Sequence, residues 1–248
     1  MVRSLAGGRI LVLGGTADAR ALASLLHAAG ADFISSLAGR TAAPLMPEGE
    51  VRIGGFGGVA GLRDYVRAEG IGVIADCTHP FAAMISANAY AAAGETGARY
   101  VRLERPAWEP VAGDKWLRVP CIGAAADALL PGSRVLLTTG VKDLPAFFSR
   151  PDIGGVARMI GEPSVAVPPD WRLVQERPPF SVDAELALMR DEKISVLVTK
   201  NAGGIARQKL DAARELGVQV VMVSRPVKAG REVAESAQAM FAILKAGN

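Results

Sequence analysis

Six short segments carry the residue types that do chemistry, and each follows an apolar run. Gly14-Gly15-Thr16 stands between Ile10-Leu11-Val12-Leu13 and an Ala/Leu-rich stretch starting at Ala17. Glycines let a backbone come close to a phosphate, and a helix start offers unpaired N–H groups and partial positive charge. The Thr16 hydroxyl would cap that helix or donate to a phosphate oxygen. The segment falls short of the full G-x-G-x-x-G fingerprint, so a tight strand–helix turn is the competing reading. Ser35-Ser36-Leu37-Ala38-Gly39-Arg40-Thr41 follows the second run. In a dinucleotide fold this place meets the adenosine ribose, where an acid suits NAD and an arginine accommodates the extra phosphate of NADP. The segment has no acid but has Ser36, Arg40 and Thr41, which favours NADP over NAD; an ordinary polar loop is the alternative.

Gly54-Gly55-Phe56-Gly57-Gly58 is either a close backbone approach to a ligand, with Gly57 at its centre, or a hinge. Asp76-Cys77-Thr78-His79-Pro80-Phe81 sets a hydroxyl and an imidazole after a strand. A lone histidine there serves as a hydrogen-bonder or as a proton carrier. In the second half, Thr138-Thr139-Gly140-Val141-Lys142-Asp143 and Thr199-Lys200-Asn201-Ala202-Gly203-Gly204 put an acid and a lysine after strands. Strand ends of open parallel sheets face the ligand crevice, so Lys200 reads as more than surface decoration.

The elements that position these segments alternate. Strands at 10–13, 33–34, 51–53, 73–76 and 100–103 are interleaved with helices at 17–29, 62–69 and 85–95. This rhythm predicts crossovers and a parallel sheet. It breaks where Pro106, Pro110, Gly113 and Pro120 cluster around Trp108 and Trp116, which reads as a linker. It resumes with strands at 135–138, 196–199 and 220–223, and helices at 182–190, 206–216 and 233–244. A Pro-rich stretch at 163–179 interrupts it. The expected organisation is α/β with two domains, 1–112 and 113–248.

Composition narrows the function. Of 248 residues, 50% are hydrophobic and 21% charged, with a net charge of +3. No basic stripe with interleaved aromatics is present, which argues against nucleic acid as partner. No apolar run is long enough to span a bilayer, so no membrane role is expected. The two cysteines, Cys77 and Cys121, lack metal-ligand spacing, so no metal is expected, and they fit a reduced, cytoplasmic protein. The mild positive balance suits small anionic ligands.

Taken in order, the segments resemble the precorrin-6A reductase family of cobalamin biosynthesis, which includes the cobalt-precorrin-6A reductases. The resemblance rests on Gly14-Gly15-Thr16 with Ala19-Arg20, on Asp76 with Thr78-His79-Pro80-Phe81-Ala82, and on Ser86-Ala87-Asn88-Ala89. It continues through Arg102-Leu103-Glu104-Arg105-Pro106-Ala107-Trp108, Leu137-Thr138-Thr139-Gly140 and Thr199-Lys200-Asn201 with Gly203-Gly204. Lys209-Leu210-Asp211-Ala212-Ala213 and Arg225-Pro226 complete it, so it spans nearly the whole chain. Cys77, Asp18 and Ala202 depart from the family pattern, where Ala, Glu and Ser are common.

The resemblance implies two Rossmann-like domains with an active-site cleft between them and an NADPH-dependent reduction of one macrocycle double bond, from precorrin-6A to precorrin-6B. The cofactor would meet Gly14, Gly15, Thr16, Ser36, Arg40, Thr41, Gly57, Thr78 and His79. An anionic tetrapyrrole would meet Arg102, Arg105, Thr139, Gly140, Lys200, Asn201, Gly203 and Arg225, arginine suiting carboxylates through its planar fork. For Arg102, which lies within a strand, an ion pair is the competing role. Asp143, Lys200 and His79 are the expected catalytic groups. Asp143 would stabilise a protonated ring nitrogen, since it would repel a carboxylate rim. Another NADP-dependent dehydrogenase, or a non-enzymatic NADP sensor, are the rival functions. Oligomeric state is not legible in the sequence.

Overall fold

The computed structural model describes residues 8–39 and 44–247, so Arg40 and Thr41 lie outside the described residues. The chain divides into two compact units, residues up to Pro106 with those from Pro226 onward, and Ala107–Arg225. In the first unit β1 (Arg9–Leu13), α1 (Ala17–Ala28), β2 (Phe33–Leu37), β3 (Glu50–Ile53), α2 (Val59–Ala68), β4 (Ile71–Asp76), α3 (Ala83–Thr96) and β5 (Arg99–Leu103) follow in order. The second unit holds β6 (Trp116–Val119), α4 (Ile122–Asp127), β7 (Arg134–Leu137), α5 (Leu144–Phe148), β8 (Gly154–Met159), β9 (Trp171–Gln175), α6 (Val182–Asp191), β10 (Val196–Lys200), α7 (Gln208–Glu215) and β11 (Gln219–Val223). The chain then returns to the first unit as β12 (Glu232–Ala234) and α8 (Ala237–Ala246).

Each unit contains a six-stranded, all-parallel sheet, ordered β12-β5-β4-β1-β2-β3 in the first and β6-β11-β10-β7-β8-β9 in the second. Parallel sheets are covered on both faces, and β1 shows why its run is continuously apolar. Ile10 and Val12 pack with Leu22, Ala23 and Leu26 of α1 and Met240 and Leu244 of α8. Leu11 and Leu13, one residue out of phase, pack with Leu62 and Val66 of α2 and Ala89, Ala92 and Ala93 of α3. Each fully buried leucine or valine of this kind contributes about 1.5–3 kcal/mol.

The two sheets exchange their sixth strands. After β5 the chain leaves to form β6 beside β11, and after β11 it returns to form β12 beside β5. Arg99 donates from Nε to Glu232 at 2.9 Å and fastens that returning strand. The expected boundaries at 112 and 248 are therefore corrected: residues from Pro226 belong to the first unit. The expected helix at 233–244 is also corrected. Ser236 accepts from the Ala239 N–H at 3.1 Å and starts α8 there, leaving the residues before it free to extend as β12.

Three strands of the second sheet, β6, β8 and β9, depart from the sequence expectation, and β6 corrects the linker reading, because Trp116–Val119 pairs with β11 instead of only connecting two halves. β8 begins Gly154-Gly155, and two glycines weaken any strand reading. They are there because the backbones crowd: a Cβ on Gly155 would sit 2.1 Å from the Val135 carbonyl oxygen. β9 lies inside the Pro-rich stretch and pairs with β8 from Trp171 to Gln175. Both cysteines are free thiols, Cys77 buried and Cys121 exposed. Among the described residues no helix is long and apolar enough to cross a membrane.

Candidate functional site

In an open parallel sheet the ligand crevice forms at the carboxyl ends of the strands where the strand order reverses. In the first sheet that point lies between β1 and β4. The Gly14-Gly15-Thr16 turn and the Asp76–Phe81 segment meet there. Thr16 Oγ1 accepts from the Ala19 N–H at 3.1 Å and donates to the Cys77 carbonyl at 2.7 Å. Its single proton is thus used, so of the two expected roles the structure shows the helix cap and leaves no proton for a phosphate. Gly15 has φ 100° with open space around its α-carbon, and Gly14 donates to the Ser36 carbonyl at 2.9 Å. Gly14, Gly15, Arg20 and Ser35 line a small crevice beside the turn. Ser35 is buried, and its hydroxyl has no partner among the described residues. Asp18, an acid in the first turn of α1, is ion-paired with Arg105, which removes its repulsion of an anion.

Asp76 is fully buried and fully used. It accepts from the Thr78 N–H at 3.1 Å, the Thr78 hydroxyl at 2.6 Å and the Tyr100 hydroxyl at 2.7 Å. Burial, then the Asp76 charge, push the Tyr100 phenol far above its ordinary range, so it stays a donor. Thr78 is therefore a structural hydroxyl rather than a free one. His79 Nδ1 accepts from the Phe81 N–H at 3.2 Å, which puts the proton of the neutral ring on Nε2. Lys228, from the returning segment, donates to Thr78 Oγ1 at 3.3 Å and to the His79 carbonyl at 3.1 Å. Arg102 is buried, donates to the Lys228 carbonyl at 2.7 Å and pairs with Glu104 at 2.9 Å. Of its two expected roles, the structure shows the ion pair, and the guanidinium straps the returning segment to β5.

At the end of β2, Ser36 accepts from Arg52 Nη1 at 2.9 Å. Arg52 also donates to the carbonyls of Gly54 and Gly55, at 3.0 Å and 3.2 Å, and lies 3.9 Å from the Phe56 ring centroid. Gly54, Gly57 and Gly58 all have positive φ. One arginine thus shapes the glycine loop and ties it to Ser36, which argues against a hinge.

The corresponding point of the second sheet lies between β7 and β10. Asp143 closes a 3-10 turn, Val141–Asp143, that follows Gly140 at φ 101°. Lys200 Nζ lies 2.6 Å from Asp143 Oδ2 and donates to the Thr139 carbonyl at 3.0 Å. Two of the three residues expected to act on protons are therefore partners. Thr139 is buried, and its hydroxyl has no partner among the described residues. The Asn201 side chain accepts from the Trp108 N–H at 2.8 Å and donates to the Trp108 carbonyl at 2.9 Å. Both polar atoms of the Asn201 amide are thus used within the fold. Arg225 Nε donates to the Asn201 carbonyl at 2.7 Å, and Gly203 has φ 68°.

Sequence reasoning missed the unpartnered Ser35 hydroxyl beside the glycine turn, and it missed Arg52 and Lys228. Ser35 and Arg52 lie within strands and look like ordinary strand residues. Lys228 acquires its place only through the pairing of β12.

Comparison with known proteins agrees on one family. The model of precorrin-6x reductase CbiJ/CobK matches residues 9–245. The precorrin-6A reductase of Rhodococcus erythropolis is 49% identical over 222 residues, covering 88% of this chain and 89% of that protein. That of Rhodobacter capsulatus is 45% identical over 228 residues, 91% of each. The cobalt-precorrin-6A reductase of Priestia megaterium is 33% identical over 231 residues, 88% of this chain and 90% of that protein. A solved structure of CobK precorrin-6A reductase superposes with a TM-score of 0.89 at 43% identity, covering 94% of each chain.

Proposed function

The chain belongs to the precorrin-6x reductase family, and from that premise we propose that it reduces one double bond of precorrin-6A with NADPH, giving precorrin-6B in cobalamin biosynthesis. The observation that carries the reading is 49% identity to a precorrin-6A reductase across 88% of the chain. Identities of 49% and 45% to precorrin-6A reductases, against 33% to a cobalt-precorrin-6A reductase, support precorrin-6A over cobalt-precorrin-6A as the substrate.

The first unit fits the cofactor. Open space at Gly15, the start of α1 and the orphaned Ser35 hydroxyl form a cradle for a phosphate-bearing ligand. Gly14, Gly15 and the backbone of Thr16 would hold it, with Ser36 and Gly57 on the adenosine side beside Arg52. Arg40 and Thr41 remain assigned there from sequence. NADPH when bound supplies a hydride. The protein supplies the rest. His79 presents Nε2–H, and Thr78 with Lys228 fixes the segment that carries it.

In the second unit the Lys200–Asp143 pair presents both signs of charge at one strand end. The Lys200 ammonium attracts the carboxylates of an anionic tetrapyrrole, and the Thr139 hydroxyl and the backbone of Gly140 and Gly203 offer further contacts. Asp143 favours a protonated ring nitrogen, which makes the macrocycle a better hydride acceptor. Arg225 is assigned to a carboxylate of the rim, whereas Arg105 is engaged by Asp18.

The test is loss of NADPH absorbance followed with and without precorrin-6A. Oxidation that depends on the tetrapyrrole upholds the assignment. Cofactor binding without turnover would favour a sensor.

A further inference from the structure

Trp108 holds the loop that begins at Lys200. Its ring is buried in the second unit's core with Leu136, Leu210 and Met222. Its backbone is gripped at both ends by the Asn201 side chain, and its indole N–H donates to the Gly204 carbonyl at 2.7 Å. The loop following Lys200 is thus fastened at three points to one tryptophan. Lys209, in the first turn of α7, places Nζ 4.8 Å from the centroid of that indole. A cation over an indole face is attracted by the ring's negative quadrupole.

The charged groups that face Lys209 from neighbouring elements are Glu185 of α6 and Arg158 of β8. These two are themselves paired at 2.7 Å, both buried, with one Glu185 oxygen unpartnered among the described residues. On its own helix, Asp211 is engaged by Arg207 at 3.2 Å and Arg214 at 2.9 Å. Burial, above all, lowers the Lys209 ammonium to about 8, with Glu185 opposing the shift and Arg158 adding to it.

We propose that Lys209, through its contact with the Trp108 indole, is a positioning residue that keeps the Lys200–Gly204 loop in its substrate-binding form while the lysine is charged. This inference rests on the assignment of that loop to the tetrapyrrole. Above the lysine's titration the cation–indole contact is gone, and the loop relies on the three hydrogen bonds alone.

The experiment uses the full chain as wild type, Lys209→Met, Lys209→Arg and Trp108→Phe. Its first arm needs no substrate: tryptophan emission is followed from about pH 6 to 10. Wild type is expected to show a step near pH 8, the value to which Lys209 is lowered. Lys209→Met and Trp108→Phe are expected to lose the step, and Lys209→Arg to move it out of the range. In the second arm, Lys209→Met raises the KM for precorrin-6A about fivefold, leaves the KM for NADPH unchanged and removes the alkaline fall in kcat/KM; Lys209→Arg restores binding. A step that persists in Lys209→Met, or a KM and pH profile that do not change, overturns the proposal. If wild type does not turn over precorrin-6A, the functional assignment fails. The emission step would still uphold the Lys209–Trp108 coupling, and its absence would overturn it.

Discussion

The Thr16 hydroxyl donates to the Cys77 carbonyl at 2.7 Å while accepting from the Ala19 N–H, so one side chain joins the loops after β1 and β4 and starts α1. Thr16→Val keeps the shape and loses both bonds. It is expected to destabilise the protein by about 1–2 kcal/mol, whereas Thr16→Ser stays near wild type. Denaturant unfolding measures both, and equal losses in the two variants would contradict this account.

Lys200 and Asp143 act as a pair, each mostly shielded from water. Lys200→Met and Asp143→Asn are each expected to lower kcat/KM for the tetrapyrrole by about tenfold or more. The double variant should fall little further, because the second substitution removes a group already deprived of its partner. Fully additive losses in steady-state kinetics would show that the two side chains work separately.

Two glycines separate folding from binding. Gly155→Ala drives a Cβ to 2.1 Å from the Val135 carbonyl oxygen, a clash with backbone that cannot move without parting β7 from β8. It is expected to cost about 3 kcal/mol or more and to give little soluble protein. Gly15→Ala meets no neighbour but needs φ 100°, so it strains the turn by about 1–2 kcal/mol and folds. Its defect should appear as weakened NADPH binding in a titration. A Gly15→Ala protein that binds NADPH normally would remove this turn from the cofactor site.

Lys209 makes stability depend on pH in a defined direction. Its folded value of about 8 lies below the ordinary 10.5, so between these values the unfolded chain binds more protons. Stability therefore rises with pH across that window, and the cost of burying the charge is fully present below it. Lys209→Met is expected to raise stability at neutral pH by roughly 1–3 kcal/mol, with the advantage fading as pH rises through the window. Thermal unfolding of the two proteins at several pH values measures the difference. A gap that does not change with pH would rule out a depressed lysine.

What the sequence made legible was local. A β-branched run, a glycine turn and a threonine cap define β1, the turn and α1 within eight positions of Arg9, and their neighbours in space do not change that reading. The pairing of Lys200 with Asp143 was not legible, because it depends on β7 and β10 being adjacent although far apart in the chain. Thr16 and Asn201 have the right types for ligand contacts, yet the fold uses their hydrogen-bonding groups internally. Arg52 and Ser35 show the opposite case, ordinary strand residues that the sheet order carries to the site. The three residues of β12 cannot establish a period of two against the longer apolar stretch that follows, so the sequence reads as helix there.

The exchange of sixth strands sets an order of assembly during synthesis. A chain emerging N-terminus first completes every strand of the second unit when Val223 has appeared. The first unit at that moment still lacks β12 and α8, with β5 left as a bare edge and one face of β1 without the Met240 and Leu244 that cover it. The half that begins first is therefore the half that finishes last, and the turn at Gly15 rests on a scaffold that closes only once β12 and α8 have been made.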